Sequence, residues 1–201
     1  MNKIGWGIAG LGKIAHSFAR DLLLVPDAEL IAVASSNATR AQEFGAQYQA
    51  KKKYYNYAAL YEDPEVQIIY IASLHPHHKA MTIAALEAGK AVLCEKPLTM
   101  STSDVRELME VAKRTGVFCM EALWTRFNPT FAKAEALIAN GTIGPLRYIN
   151  ASFSFNGLDR GEDSRLFNPD KAGGTLLDIG IYPLFLAYHL LGIPIRWYAK
   201  V

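Results

Sequence analysis

Cysteine is nearly missing from these 201 residues: only Cys94 and Cys119 occur, each inside an apolar, strand-like run. Two such thiols build no disulfide framework; they fit core packing and suit a reducing compartment. A dominant charge is missing too. The formal net charge is +2 with acids and bases interspersed, which leaves no basic stripe to follow a phosphate backbone and argues against a nucleic-acid partner. Lys51-Lys52-Lys53 reads as a solvated turn. Unbroken apolar runs are also scarce. Lys13 interrupts the opening stretch, which argues against a signal peptide, and Asp178, Pro183 and His189 interrupt the longest one, Leu176 to Ile195, which argues against a membrane span. Internal repeats and low-complexity segments are absent. What the chain does have is apolar residues, 51% of the total, enough to bury a substantial core at a length between one large domain and two small ones. A soluble, cytoplasmic protein is expected.

The first 120 or so residues alternate short apolar runs with helical patterns, the signature of a parallel sheet with crossover helices. Strands are predicted at 3–9, 30–35, 67–73, 91–95 and 117–121, with a weaker one at 52–55. The best-marked helix starts at the cap Ser101, with Asp104 three residues on, and stops at Gly116. After Glu121 the pattern changes. Pro129 opens a helix to Ala139, residues 146–156 alternate as a long half-buried strand, an apolar helix runs to Leu191, and 195–201 reads as a final strand. The expected organisation is therefore a doubly wound α/β domain over 1–122 and an incomplete α+β domain over 123–201, since so few strands cannot cover both faces of a sheet.

Four clusters carry chemistry. Gly10, Leu11, Gly12, Lys13, Ile14 and Ala15 form G-x-G-x-x-A directly after a strand and at the head of a helix. Gly10 permits the tight turn, Gly12 lets backbone approach a pyrophosphate, and the helix N-terminus offers amides to it. At the end of the second strand stand Ser35, Ser36 and Arg40, with no carboxylate before Glu43. An acid there would bind the ribose hydroxyls of NAD; its absence favours NADP, with NAD as the alternative and helix capping as the plain reading of the serines. Ser73, Leu74, His75, His77 and His78 follow the strand at 67–73. Their spacing matches no metal-ligand pattern, so no metal is expected; Ser73, Leu74, His75 and His78 are expected to line the cofactor and His77 to be exposed. Glu95-Lys96-Pro97 ends the strand at 91–95, where Pro97 holds Lys96 extended and its amine can reach the same edge. Finally, Asp178 and Tyr182, four apart, share a helical face in an otherwise apolar segment, where a buried structural tyrosine is the ordinary alternative.

Taken together, the glycine turn, Glu95-Lys96-Pro97, and Gly173-Gly174 followed by Asp178 and Gly180 resemble the glucose-fructose oxidoreductase / inositol dehydrogenase (Gfo/Idh/MocA) family along essentially the whole chain. Many members have His where this chain has Tyr182; the tyrosine version, with "MEALWTRFNP" at 120–129, is similar to the branch containing the dimeric dihydrodiol dehydrogenases. The resemblance implies Tyr182 as general acid/base, assisted by Lys96 and oriented by Asp178, with Trp124, Arg126 and Phe155 bordering the pocket. It also implies a small-molecule substrate, sugar-like or a trans-dihydrodiol, and a homodimer formed through a sheet that members complete beyond the equivalent of Val201. Two rivals stay open: a dinucleotide-sensing regulator without chemistry, and a truncated interaction module.

Overall fold

The computed structural model describes residues 3–199, in two compact units, Met1–Ala122 and Leu123–Val201. In the first, β1 (Ile4–Ala9), β2 (Ala28–Ala34), β3 (Lys52–Tyr54), β4 (Ile68–Ile71), β5 (Ala91–Glu95) and β6 (Cys119–Ala122) form one sheet in the order β3-β2-β1-β4-β5-β6. Every pairing is parallel. This is the doubly wound arrangement read from the sequence, and its strand order reverses between β1 and β4.

Parallel strands covered on both faces are apolar on both, and β4 illustrates it. Ile69 and Ile71 point into the core shared with α3 (Tyr57–Glu62), α4 (His78–Glu87) and α5 (Thr102–Thr115), whereas Tyr70 points into the core shared with α1 (Lys13–Leu22) and α2 (Ala38–Gln47). Helix α5 is closed as its sequence announces: the Ser101 hydroxyl accepts from the Asp104 N–H at 3.2 Å, and Gly116 takes φ +67°. At the opposite edge from the glycine turn, Asp63 accepts from Lys52 Nζ at 2.9 Å, Tyr54 OH at 3.0 Å and the Glu65 N–H at 3.0 Å. Burial alone would raise its pKa; these donors outweigh it and hold the carboxyl below its usual value. Both thiols are held in the protonated form by burial: Cys94, fully buried in β5, is pushed up strongly, and Cys119 in β6 is pushed up to about 11.

The second unit contains α6 (Pro129–Ala139), a wide π turn at Leu176–Gly180 and α7 (Ile181–Leu191). The predicted helix starting at Pro129 is present, with Asn128 accepting from the Thr130 N–H at 2.9 Å. The predicted strands are not. Residues 146–156 and 195–199 carry no strand, and Lys200 and Val201 lie outside the described residues. An alternating pattern supplies a face, but a strand exists only when its N–H and C=O groups find a partner strand, and the described residues of this unit hold none. The stretch Pro169–Leu191 is long and apolar enough to cross a bilayer by length and composition. Within it Asp178 pairs with Arg165 at 2.8 Å and His189 with Glu135.

Candidate active site

The carboxyl ends of β1, β4 and β5 lie side by side in the first unit and carry most of the predicted cofactor residues. Gly10 takes φ +88°, and a Cβ there would meet Ser73 N at 2.8 Å and Ala72 C at 2.9 Å, so the first turn touches the end of β4 through bare backbone. Gly12 is different. It is the N-cap of α1, it supplies no side-chain cap, and a Cβ on it would meet nothing within 4 Å. An open face over an uncapped helix N-terminus fits the pyrophosphate of a dinucleotide, and Leu11, Lys13 and Ile14 flank it.

At the end of β2, Ser35 is buried, and its hydroxyl accepts from the Asn37 N–H at 3.1 Å. Asn37, not a serine, caps α2, accepting from the Arg40 N–H at 2.9 Å. Ser36 and Arg40 are exposed beside it, so neither side chain is committed to closing the helix.

The Lys96 turn is the most heavily braced part of this edge. The Lys96–Pro97 peptide bond is cis. Glu95 Oε1 accepts from Tyr70 OH at 2.6 Å, Glu95 Oε2 from the Lys96 N–H at 3.2 Å, and Glu121 Oε1 from the Leu98 N–H at 2.7 Å. Burial is the largest influence on Glu95 and raises its pKa; the Tyr70 hydroxyl, the Lys96 N–H and the Lys96 charge oppose it. His78, fully buried, places Nδ1 2.8 Å from Pro97 O and Nε2 3.1 Å from Ser73 O. His75 is half-buried, with its ring centroid 5.6 Å from that of His78, while His77 and Leu74 are exposed. Among the described residues, no group of three or more His, Cys, Asp or Glu is placed to hold a metal.

The second unit gathers the remaining candidates. The Trp124 indole Nε1–H donates to Tyr182 OH at 3.1 Å, and Phe153 meets the Tyr182 ring edge-on at 5.1 Å. Asp178 is 6% exposed and receives Arg165 Nη1 at 2.8 Å. Arg126 lies 5.6 Å from the centroid of Phe185. Phe155, Leu166, Phe167, Thr175 and Asp178 help line an open cleft of about 370 Å³. Arg165 and Phe153 were not singled out in the sequence. Arg165 carries no local signal, whereas Phe153 lies in the same alternating face as Phe155 and is the one that touches the tyrosine.

Comparison with known proteins places the chain in a family. Residues 4–123 match the GFO/IDH/MocA oxidoreductase family, NAD-binding Rossmann fold, and residues 131–201 match the GFO/IDH/MocA C-terminal domain. The trans-1,2-dihydrobenzene-1,2-diol dehydrogenase of Mus musculus is 42% identical over 179 residues, 88% of this chain and 53% of that protein. D-xylose 1-dehydrogenase (NADP(+)) of Hypocrea jecorina is 42% identical over 205 residues, covering 92% of this chain and 52% of its own length. Among solved structures, a 3-ketoreductase from Actinomadura kijaniata in complex with NADP and TDP-benzene superposes with a TM-score of 0.87 at 32% identity, over 95% of this chain and 58% of that one. The chain thus spans about half the length of the curated relatives it matches.

Proposed function

From the premise that this chain belongs to the GFO/IDH/MocA oxidoreductase family, we propose that it is an NADP-dependent oxidoreductase acting on the CH–OH group of a sugar-like or trans-dihydrodiol substrate. The observation that carries this reading is the sheet edge of the first unit, where the uncovered N-terminus of α1 and the braced Lys96 turn stand on the carboxyl ends of β1 and β5. Ligands of doubly wound sheets bind at that edge. NADP, when bound, supplies or accepts the hydride. Gly10 and Gly12 admit its pyrophosphate, and exposed Arg40 with Ser36 would hold the 2′-phosphate, a dianion that a guanidinium fork suits.

Tyr182 would hand a proton to the substrate oxygen in one direction and take it back in the other. Within the second unit, the Trp124 indole N–H would stabilise the phenolate as it forms, through the 3.1 Å hydrogen bond, and Lys96 is assigned the assisting positive charge. Asp178, fixed by Arg165, would orient that region. The cleft of about 370 Å³, mostly apolar with a carboxylate in its wall, is of a size for a cyclic diol or a monosaccharide. The same reading carries a cytoplasmic setting, consistent with two free thiols, and a homodimer.

The test is Tyr182→Phe. Turnover with NADP(H) and a panel of dihydrodiols, pentoses and keto-sugars should fall about 100-fold or more, while the Kd for NADPH, followed by nicotinamide fluorescence, should stay within about twofold. Unchanged turnover would remove Tyr182 from the mechanism, and tight NADPH binding by a wild-type chain that reduces nothing would favour the sensor.

A further inference from the structure

His78 is a buried side chain with an unusual demand on it. Both ring nitrogens face main-chain carbonyl oxygens, Pro97 O at 2.8 Å and Ser73 O at 3.1 Å. A carbonyl only accepts, so each contact calls for an N–H, and a neutral imidazole has one. Burial lowers the pKa of the ring, the two carbonyls oppose that, and the charges of His77 and Lys96 lower it further. Burial favours the neutral ring, and we assign its single proton to Nδ1, at the shorter contact.

We propose that His78 is a positioning residue for Lys96, holding the carbonyl of Pro97 and so fixing the direction in which the lysine leaves β5. The proposal rests on the reading that Lys96 serves catalysis. Glu95, Glu121 and His78 each hold backbone of this turn, and His78 does so without a carboxylate's charge. Glu95 grips the N–H of Lys96 and Glu121 the N–H of Leu98, but both are carboxylates, and Glu95 also interacts with the Lys96 charge. Removing either would change position and electrostatics together. Both ring nitrogens of His78 face backbone, with the His75 ring edge-on beside it, and the Ser73 that its Nε2 faces belongs to the loop that Gly10 touches.

The experiment compares His78→Leu, which deletes the donor, with His78→Asn, whose amide nitrogen can take the place of Nδ1. Lysine amines are reductively methylated with 13C, and the Lys96 signal is assigned by its loss in Lys96→Arg. In H78L that signal should move toward the position of solvent-exposed lysines and kcat should fall about 100-fold, with KM and the NADPH Kd within about twofold. H78N should return both the signal and kcat to near wild type. Should H78L fail to fold, His78→Gln, whose longer amide does not reach the Nδ1 position, takes its place. A Lys96 signal unmoved in the donor-less variant, or an H78N no better than H78L, overturns the proposal. The NMR signal needs no turnover, so it separates this outcome from failure of the catalytic reading, which full activity in Lys96→Met would reveal.

Discussion

Tyr70 is a phenol within an aliphatic strand, and its hydroxyl ends on Glu95 at 2.6 Å. Burial first, then the neighbouring carboxylate, drives its pKa far above the ordinary value, so it acts only as a donor. Deleting it in Tyr70→Phe leaves Glu95 with one hydrogen-bond donor fewer in a buried place. The cost should be on the order of 1–2 kcal/mol by urea unfolding, and the carboxyl should rise further. A carboxyl whose folded pKa lies above its unfolded value contributes stability that is complete below the unfolded pKa and is lost as pH rises through the folded one, so the deficit of Y70F should be larger at pH 7 than at pH 4. At the cofactor end, Arg40→Ala should weaken NADPH binding about tenfold or more and leave NADH binding nearly unchanged, read by paired fluorescence titrations. Gly10, Gly12 and Lys96 are legible in the sequence because their meaning is local, a turn or a strand end. Tyr70, His78 and Arg165 are not, because their partners stand 25, 19 and 13 residues away and only the sheet and the second unit's fold bring them near.

At the scale of elements, the first turn of α1 makes a contrast between two glycines. Gly10→Ala places a Cβ against the backbone of β4 at a positive φ and should unfold the unit at markedly lower urea. Gly12→Ala should fold normally and lose NADPH affinity, because its methyl occupies only the space the ligand needs. Asp63 ties β3 to the end of α3 and to the turn at Glu65. Its folded pKa is depressed, so the stability it gives is present above the unfolded value near 3.8 and is lost as pH falls through the folded one. Asp63→Ala should cost about 2 kcal/mol at pH 7 and progressively less below pH 4. Helix α5 was readable because Ser101 and Gly116 are stop signs written into the chain itself. The strand expected at 146–156 was misread because alternation reports which side chains could share a face, and says nothing about whether another strand is there to pair with.

The whole molecule divides unevenly. Nearly all the fully buried residues belong to the first unit, whereas Trp124, Leu184 and Tyr188 of the second are 56%, 57% and 57% exposed. We expect residues 1–122, produced alone, to fold cooperatively and bind NADPH, a result that circular dichroism and fluorescence would check. The two cysteines are both in that first unit, in β5 and β6, and burial suppresses the thiolate in each. Alkylating reagents attack only thiolates they can reach. Pulsed labelling with iodoacetamide, followed by mass spectrometry, would therefore clock the opening of the nucleotide-binding half by itself, without any engineered label.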